Sequence, residues 1–333
     1  MLSAVKIAAK TLGLALCTIT LAACGTSVTE VANDDQAPVG NATPAASPAE
    51  NNPDGVVIPM KAIDDLEHVG NTLAIRTEGK LLIGDIEDKD FREAHSVDLD
   101  ASCGDVTAAH DAFVSACGEE VKIISPEGNV DTQQLEHPAT VAVRTSDGTL
   151  ITGDDQQSEV WIYRQGEDPT SVGVEKTTDQ MIVVDNGDSP DAVVRINREY
   201  SLIQDVHWQD DKQGPILRVG SGVGQIAAGT NGVLLASDTV GDQLALYSAE
   251  EIIRLHQTIP TPESPWAVAW DKKNQQAWTI STAKNKVVVY SPQTGTLELQ
   301  REANAVANAT SLVVLDNGVA VAGSSSGAGL QIL

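Results

Sequence analysis

From Val56 onward the chain alternates short apolar runs with clusters of Asn, Asp, Gly and Pro. The clearest unit reads Trp266-Ala-Val-Ala-Trp-Asp, a Lys-Lys-Asn turn, Gln276-Ala-Trp-Thr-Ile-Ser, Lys286-Val-Val-Val-Tyr-Ser, Pro-Gln-Thr-Gly and Thr296-Leu-Glu-Leu. Runs this short, rich in β-branched residues and bounded by turn formers, predict strands. Four strands with three tight connections make one unit. The order recurs as Gln225-Ile-Ala-Ala, Val233-Leu-Leu-Ala-Ser-Asp, Gln243-Leu-Ala-Leu-Tyr-Ser and Ile252-Ile-Arg-Leu. It recurs again as Thr140-Val-Ala-Val, Thr149-Leu-Ile-Thr-Gly-Asp, Glu159-Val-Trp-Ile-Tyr-Arg and Ser171-Val-Gly-Val. Weaker copies start near Thr72, Asp105, Gln180 and Thr310. Four-stranded units repeating at a period near 40 residues predict an all-β ring, a seven-bladed β-propeller.

The last copy stops after Gly318-Val-Ala-Val-Ala-Gly and Leu330-Gln-Ile-Leu, one strand short. Val56-Val-Ile-Pro-Met, ahead of the first copy, belongs to no unit. The two irregularities explain each other if the N-terminal strand completes the last blade, which also removes an exposed sheet edge. Pro59 is compatible with such an outermost strand. Pro265-Trp-Ala-Val-Ala-Trp-Asp followed by Lys286-Val-Val-Val-Tyr-Ser-Pro-Gln-Thr-Gly resembles the blades of YVTN-type and WD40-like propellers of exported proteins. That resemblance implies the same architecture over 56–333.

The first 55 residues follow other rules. Lys6 and Lys10 precede an apolar run from Thr11 to Ala23, too short as a helix to cross a bilayer. It ends in Leu21-Ala-Ala-Cys24, which resembles the lipobox of exported bacterial lipoproteins. The resemblance implies a signal peptide over 1–23 and lipidation of Cys24. The protein is then expected on the outer side of the cell membrane, held by its acyl chains. Residues 24–55 contain much Pro, Ala, Asn and Ser and almost no large apolar residue, and predict a disordered tether.

The formal charge is −26, and loss of residues 1–23, with their two lysines and no acid, takes it to −28. Such a surface excludes nucleic-acid binding through phosphates and favours cations, basic partners or neutral ligands. With the signal removed and Cys24 lipidated, only Cys103 and Cys117 remain. They flank a predicted hairpin whose turn lies near His110-Asp111, so a disulfide is expected.

Leu-Glu-His occurs at 66–68 and again at 135–137, each copy just ahead of a predicted first strand. In a propeller such connections border the channel mouth. Glu67, His68, Glu136 and His137 are therefore candidate ligands for Zn²⁺. Acid clusters recur after second strands at Asp85, Glu87 and Asp88; Glu119 and Glu120; Asp154 and Asp155; Asp185, Asp188 and Asp191; Asp238 and Asp242. Turn formation explains most of them, and Asp185-Asn-Gly-Asp-Ser-Pro-Asp has the ligand types for weak Ca²⁺ binding. Gly323-Ser-Ser-Ser-Gly327 has no following helix for a nucleophile elbow. Gly222-Val-Gly-Gln-Ile-Ala227 opens a strand where a dinucleotide site needs a helix. The leading expectation is a non-catalytic, membrane-anchored binding or scaffold propeller, with a protein or small-ligand partner on an acidic face and no resident cofactor. Exported propellers resembling zinc chaperones of importers, and propeller hydrolases or lactonases, define the two alternatives.

Overall fold

Alternating apolar residues build seven twisted antiparallel sheets around a central channel. The computed structural model describes residues 38–48, 52–87, 91, 93–292 and 295–333. The expected signal peptide and Cys24 lie outside the described residues, as do residues 25–37 of the tether.

Blade 1 is Asp65–Val69, Thr72–Thr77, Lys80–Asp85 and His95–Asp98. Blade 2 is Cys103–Ala108, Phe113–Ile124 and Val130–Ala139. Blade 3 is Val141–Arg144, Leu150–Gly153, Glu159–Tyr163 and Thr170–Gly173. Blade 4 is Gln180–Val184, Ala192–Asn197, Leu202–His207 and Lys212–Arg218. Blade 5 is Val223–Ala228, Val233–Asp238, Gln243–Ala249 and Ile253–Pro260. Blade 6 is Pro265–Asp271, Gln276–Ser281, Lys286–Ser291 and Glu298–Asn304. Blade 7 is Ala309–Val314, Ala320–Ser324, Leu330–Ile332 and, outermost, Val56–Ile58.

Blade 2 keeps the four-strand plan inside three continuous segments. Residues 113–117 of its long strand pair with Cys103–Ala108, while residues 118–124 pair with Val130–Ala139. Gly118, at φ 68°, sits where the strand changes partner. In blade 7, Val56 pairs with Ile332 and Ile58 with Leu330, so a strand that precedes blade 1 completes the sheet of blade 7.

The core is divided among the blade interfaces. Val313, Leu315, Val321 and Leu330 of blade 7 pack on Leu66, Leu73 and Ile75 of blade 1. Similar clusters fill the other interfaces, for instance Val143 and Ile162 with Met181 and Val193 between blades 3 and 4. Each blade buries apolar residues on both faces, which is why its inner strands read as near-continuous hydrophobic runs. Small Ala, Val and Leu side chains suffice for these narrow interfaces, consistent with the low aromatic content.

Two expectations change. The first unit begins one strand earlier than Thr72, at Asp65, because Asp65-Leu-Glu-His is too polar to read as a buried strand. The expected disordered tether does not extend to 55. Residues 38–48 lie against the ring, with Ala42 buried and Ser47 hydrogen-bonded to Asn308 and Thr282. Polar side chains of the ring capture this segment's main chain, a source of order that composition does not reveal.

Candidate functional site

The innermost strand of every blade contributes to a channel of about 280 Å³. At the turns that join first to second strands, Gly70, His110, Asp185, Gly229, Lys272 and Asp316 line its mouth. Its acidic sector belongs to blades 1 and 2. Alternation along Asp65-Leu66-Glu67 sends Leu66 into the blade 7 interface and puts both acids on the opposite side of the strand, toward blade 2, where they also line the channel. Asp105 follows on the neighbouring inner strand.

The acids have different surroundings. Asp65 spans two blades: its Oδ2 accepts from the Val106 amide at 2.9 Å and its Oδ1 from the Leu66 amide at 2.9 Å. Burial, then the charges of Asp105 and Glu67, push its carboxyl well above the usual range. Glu67 keeps part of its surface open to the channel. Burial, followed by the nearby Asp105 charge, pushes its carboxyl up to about 8, against a small opposing effect of the His68 amide. A raised carboxyl beside a second acid releases its proton to solvent when a positive charge arrives, because that charge stabilises the carboxylate.

Amide side chains continue the polar lining. Gln180 exchanges two hydrogen bonds with the Ile226 backbone at 3.0 Å, tying blade 4 to blade 5. Gln225 donates to the Thr310 carbonyl at 3.3 Å, reaching blade 7. Arg198 donates through Nε to the Gly224 carbonyl at 2.8 Å and stands over the Trp266 ring at 5.8 Å. Burial lowers its pKa, while Asp179 and Asp105 oppose that shift. At the mouth, His68 Nδ1 lies 3.1 Å from the Gly70 carbonyl. Burial lowers its pKa, against the opposing hydrogen bond to Gly70. His110 Nε2 lies 3.2 Å from the buried Asp191, whose Oδ2 also accepts from the Ser146 amide at 2.6 Å.

The two Leu-Glu-His copies do not converge. Glu67 and His68 lie in the inner strand of blade 1, not in a loop before it. Glu136 and His137 lie in the outer strand of blade 2, where His137 stacks on Trp161 with ring centroids 3.6 Å apart. The repeated tripeptide thus marks opposite edges of two blades. Among the described residues no group of three or more His, Cys, Asp or Glu has an arrangement that holds a metal ion. The acid clusters also divide. Asp154 follows a second strand and Asp238 ends one, where Asp154 accepts from the Gln156 and Gln157 amides and Asp238 from those of Ser221, Gly222 and Gly241. Asp185 and Asp191 sit at the opposite end of the blades, after a first strand. Asp85 ends a third strand, and Glu119 and Glu120 lie within a strand. The acids therefore do not form one acidic face.

Cys103 and Cys117 are joined in a disulfide, opposite each other in the blade 2 ladder. Asp65, Asp105, Gln180 and Gln225 had no distinguishing motif. The available signal was the i, i+2 spacing of Asp65 and Glu67, which places two acids on one side of a strand.

No family model matches the chain, and no curated protein is significantly similar to it. Solved structures share the architecture. A streptogramin B lyase structure matches with a TM-score of 0.62 and 11% identity, over 83% of this chain and 93% of that one. A chain of a mitotic checkpoint complex matches at 0.64 and 11% identity, over 87% and 97%. A chain of Kuenenia stuttgartiensis hydrazine synthase matches at 0.63 and 8% identity, over 86% and 98%. At these identities the likeness establishes the β-propeller fold and nothing about activity.

Proposed function

We propose that this chain is a membrane-anchored, extracytoplasmic binding protein whose channel takes the cationic end of a small organic ligand. The observation that carries the reading is the pair Glu67 and Asp105, two carboxylates on adjacent inner strands of a narrow channel. A channel of about 280 Å³ is on the scale of small-molecule sites. Asp65 takes no direct part, because both its oxygens already accept backbone amides. The ligand type is an ammonium or guanidinium group, whose positive charge and N–H donors complement two neighbouring carboxylates. The lipobox-like Leu21-Ala-Ala-Cys24 supports the anchoring part of the reading.

A panel of small primary amines, guanidines, and neutral and anionic analogues tests the proposal by thermal shift. Cationic members are expected to raise the melting temperature of the native protein, and Glu67→Gln/Asp105→Asn is expected to remove that effect. Equal responses to cationic and neutral members would refute it. A second reading is a hydrolase in which protonated Glu67 serves as acid and Asp105 as base. It has the same two residues in its favour, and turnover of ester or lactone substrates lost in Glu67→Gln distinguishes it from binding alone.

A further inference from the structure

The face opposite the channel mouth carries a chain segment of its own. It is built from the turns between second and third strands and from the connections between blades. Residues 38–48 run over this face across blades 4 to 7. The Val39 and Gly40 amides donate to the Glu199 carbonyl at 2.8 and 3.1 Å. Ala42 is 5% exposed, and its Cβ faces Gly222, where an added Cβ would come within 3.4 Å. The Ala45 amide donates to Ser264 Oγ at 3.0 Å. The Ser47 amide donates to Asn308 Oδ1 at 3.0 Å, its hydroxyl donates to the Thr282 carbonyl at 2.9 Å, and that same oxygen accepts from the Asn308 amide at 2.6 Å. Asn285 Nδ2 donates to the Pro48 carbonyl at 3.2 Å.

Most of these bonds go to main-chain atoms of the segment. Residues Pro38 to Pro48 contain no charged side chain, and the one fully buried side chain is a methyl group. A groove that grips main chain at several points and admits only small side chains selects for an extended, uncharged peptide. We propose that this face is a binding groove for such a peptide, with a small residue at the position of Ala42 and a serine at that of Ser47, and that residues 38–48 are its resident, exchangeable occupant. The covalent link gives the resident segment an effective concentration of order millimolar, so it shields the groove from competitors in trans. The inference is independent of the channel reading, since it concerns the opposite face.

The full chain tests this without truncation. Ala42→Glu places a charged, bulky side chain against Gly222 and should displace the resident segment. Fluorescence polarisation with a labelled Pro38–Pro48 peptide should then show binding to the Ala42→Glu protein at least tenfold tighter than to the native protein. A Ser47→Ala peptide, which loses two hydroxyl bonds, should bind at least tenfold more weakly than the parent peptide. Equal binding of the parent peptide to both proteins, or binding to neither, overturns the proposal. Hydrogen exchange on the native protein gives a measurement that needs no variant. The Ala45, Ser47 and Asn308 amides are expected to be protected together, and exchange of the first two at the rate of an unstructured chain overturns the proposal as well.

Discussion

Replacing Glu67 with glutamine keeps the shape of the side chain and removes its proton equilibrium. In the folded protein burial and Asp105 push Glu67 up to about 8, against 4.5 as the ordinary value. The folded state therefore holds one more proton than the unfolded state between those two values. Stability must fall as pH rises through that window and level off above about 8. The full shift corresponds to an upper bound of roughly 5 kcal/mol. Channel water solvates part of the carboxylate, so we expect about 2 kcal/mol of this loss between pH 5 and 8.5. In Glu67→Gln that portion of the slope disappears, and the variant should be about 2 kcal/mol more stable than the native protein at pH 8.5 and nearly equal to it at pH 5. Asp65, also raised by burial, leaves a residual slope in both proteins. Chemical denaturation at pH 5, 7 and 8.5 measures the difference. Parallel pH profiles for the two proteins would refute the buried, proton-holding state of Glu67.

Three further outcomes follow from other parts of the chain. Gly55 has φ 76°, and a Cβ there would lie 2.0 Å from the Ile332 carbonyl; Gly166, at φ 78°, has nothing within 4 Å. Gly55→Ala should therefore lower the melting temperature far more than Gly166→Ala, which should cost about 1 kcal/mol, and equal costs would contradict closure of blade 7 by Val56–Ile58. Replacing both Cys103 and Cys117 with alanine opens a loop of sequence separation 14 and should cost about 3 kcal/mol in denaturant, whereas an unchanged midpoint would contradict the stabilising role of the bond. Cys24→Ala should move the protein from the membrane fraction to the soluble fraction of the cell envelope, and retention in the membrane pellet would refute anchoring by lipid.

The ring was legible in the sequence because its blades bury both faces. Val, Leu and Ala runs such as Gln225-Ile-Ala-Ala and Lys286-Val-Val-Val-Tyr fall where the inner and third strands lie. The Cys103–Cys117 pairing was legible from the hairpin between them. The channel was harder to read. Its acids sit in the strand Asp65–Val69, whose alternation is polar enough to pass for a loop, so the first repeat was expected to start at Thr72. Equal spacing ahead of a strand linked His68 with His137, yet one lies on an innermost and the other on an outermost strand, a distinction set by the true start of blade 1. The order of residues 38–48 depends on Ser264, Asn285 and Asn308, more than two hundred positions away, and no local pattern encodes it.

The central claim is that the channel binds an organic cation through Glu67 and Asp105. Isothermal titration with the tightest-binding amine of the panel at pH 7 and pH 9 tests it most directly, provided the amine stays protonated at both. Because Glu67 sits at about 8, cation binding must displace a proton at pH 7 and little at pH 9. The account predicts affinity about tenfold higher at pH 9, a difference of about 1.4 kcal/mol, with proton release at pH 7 and no such dependence in Glu67→Gln. Binding that is independent of pH, or unchanged in Glu67→Gln, would contradict it.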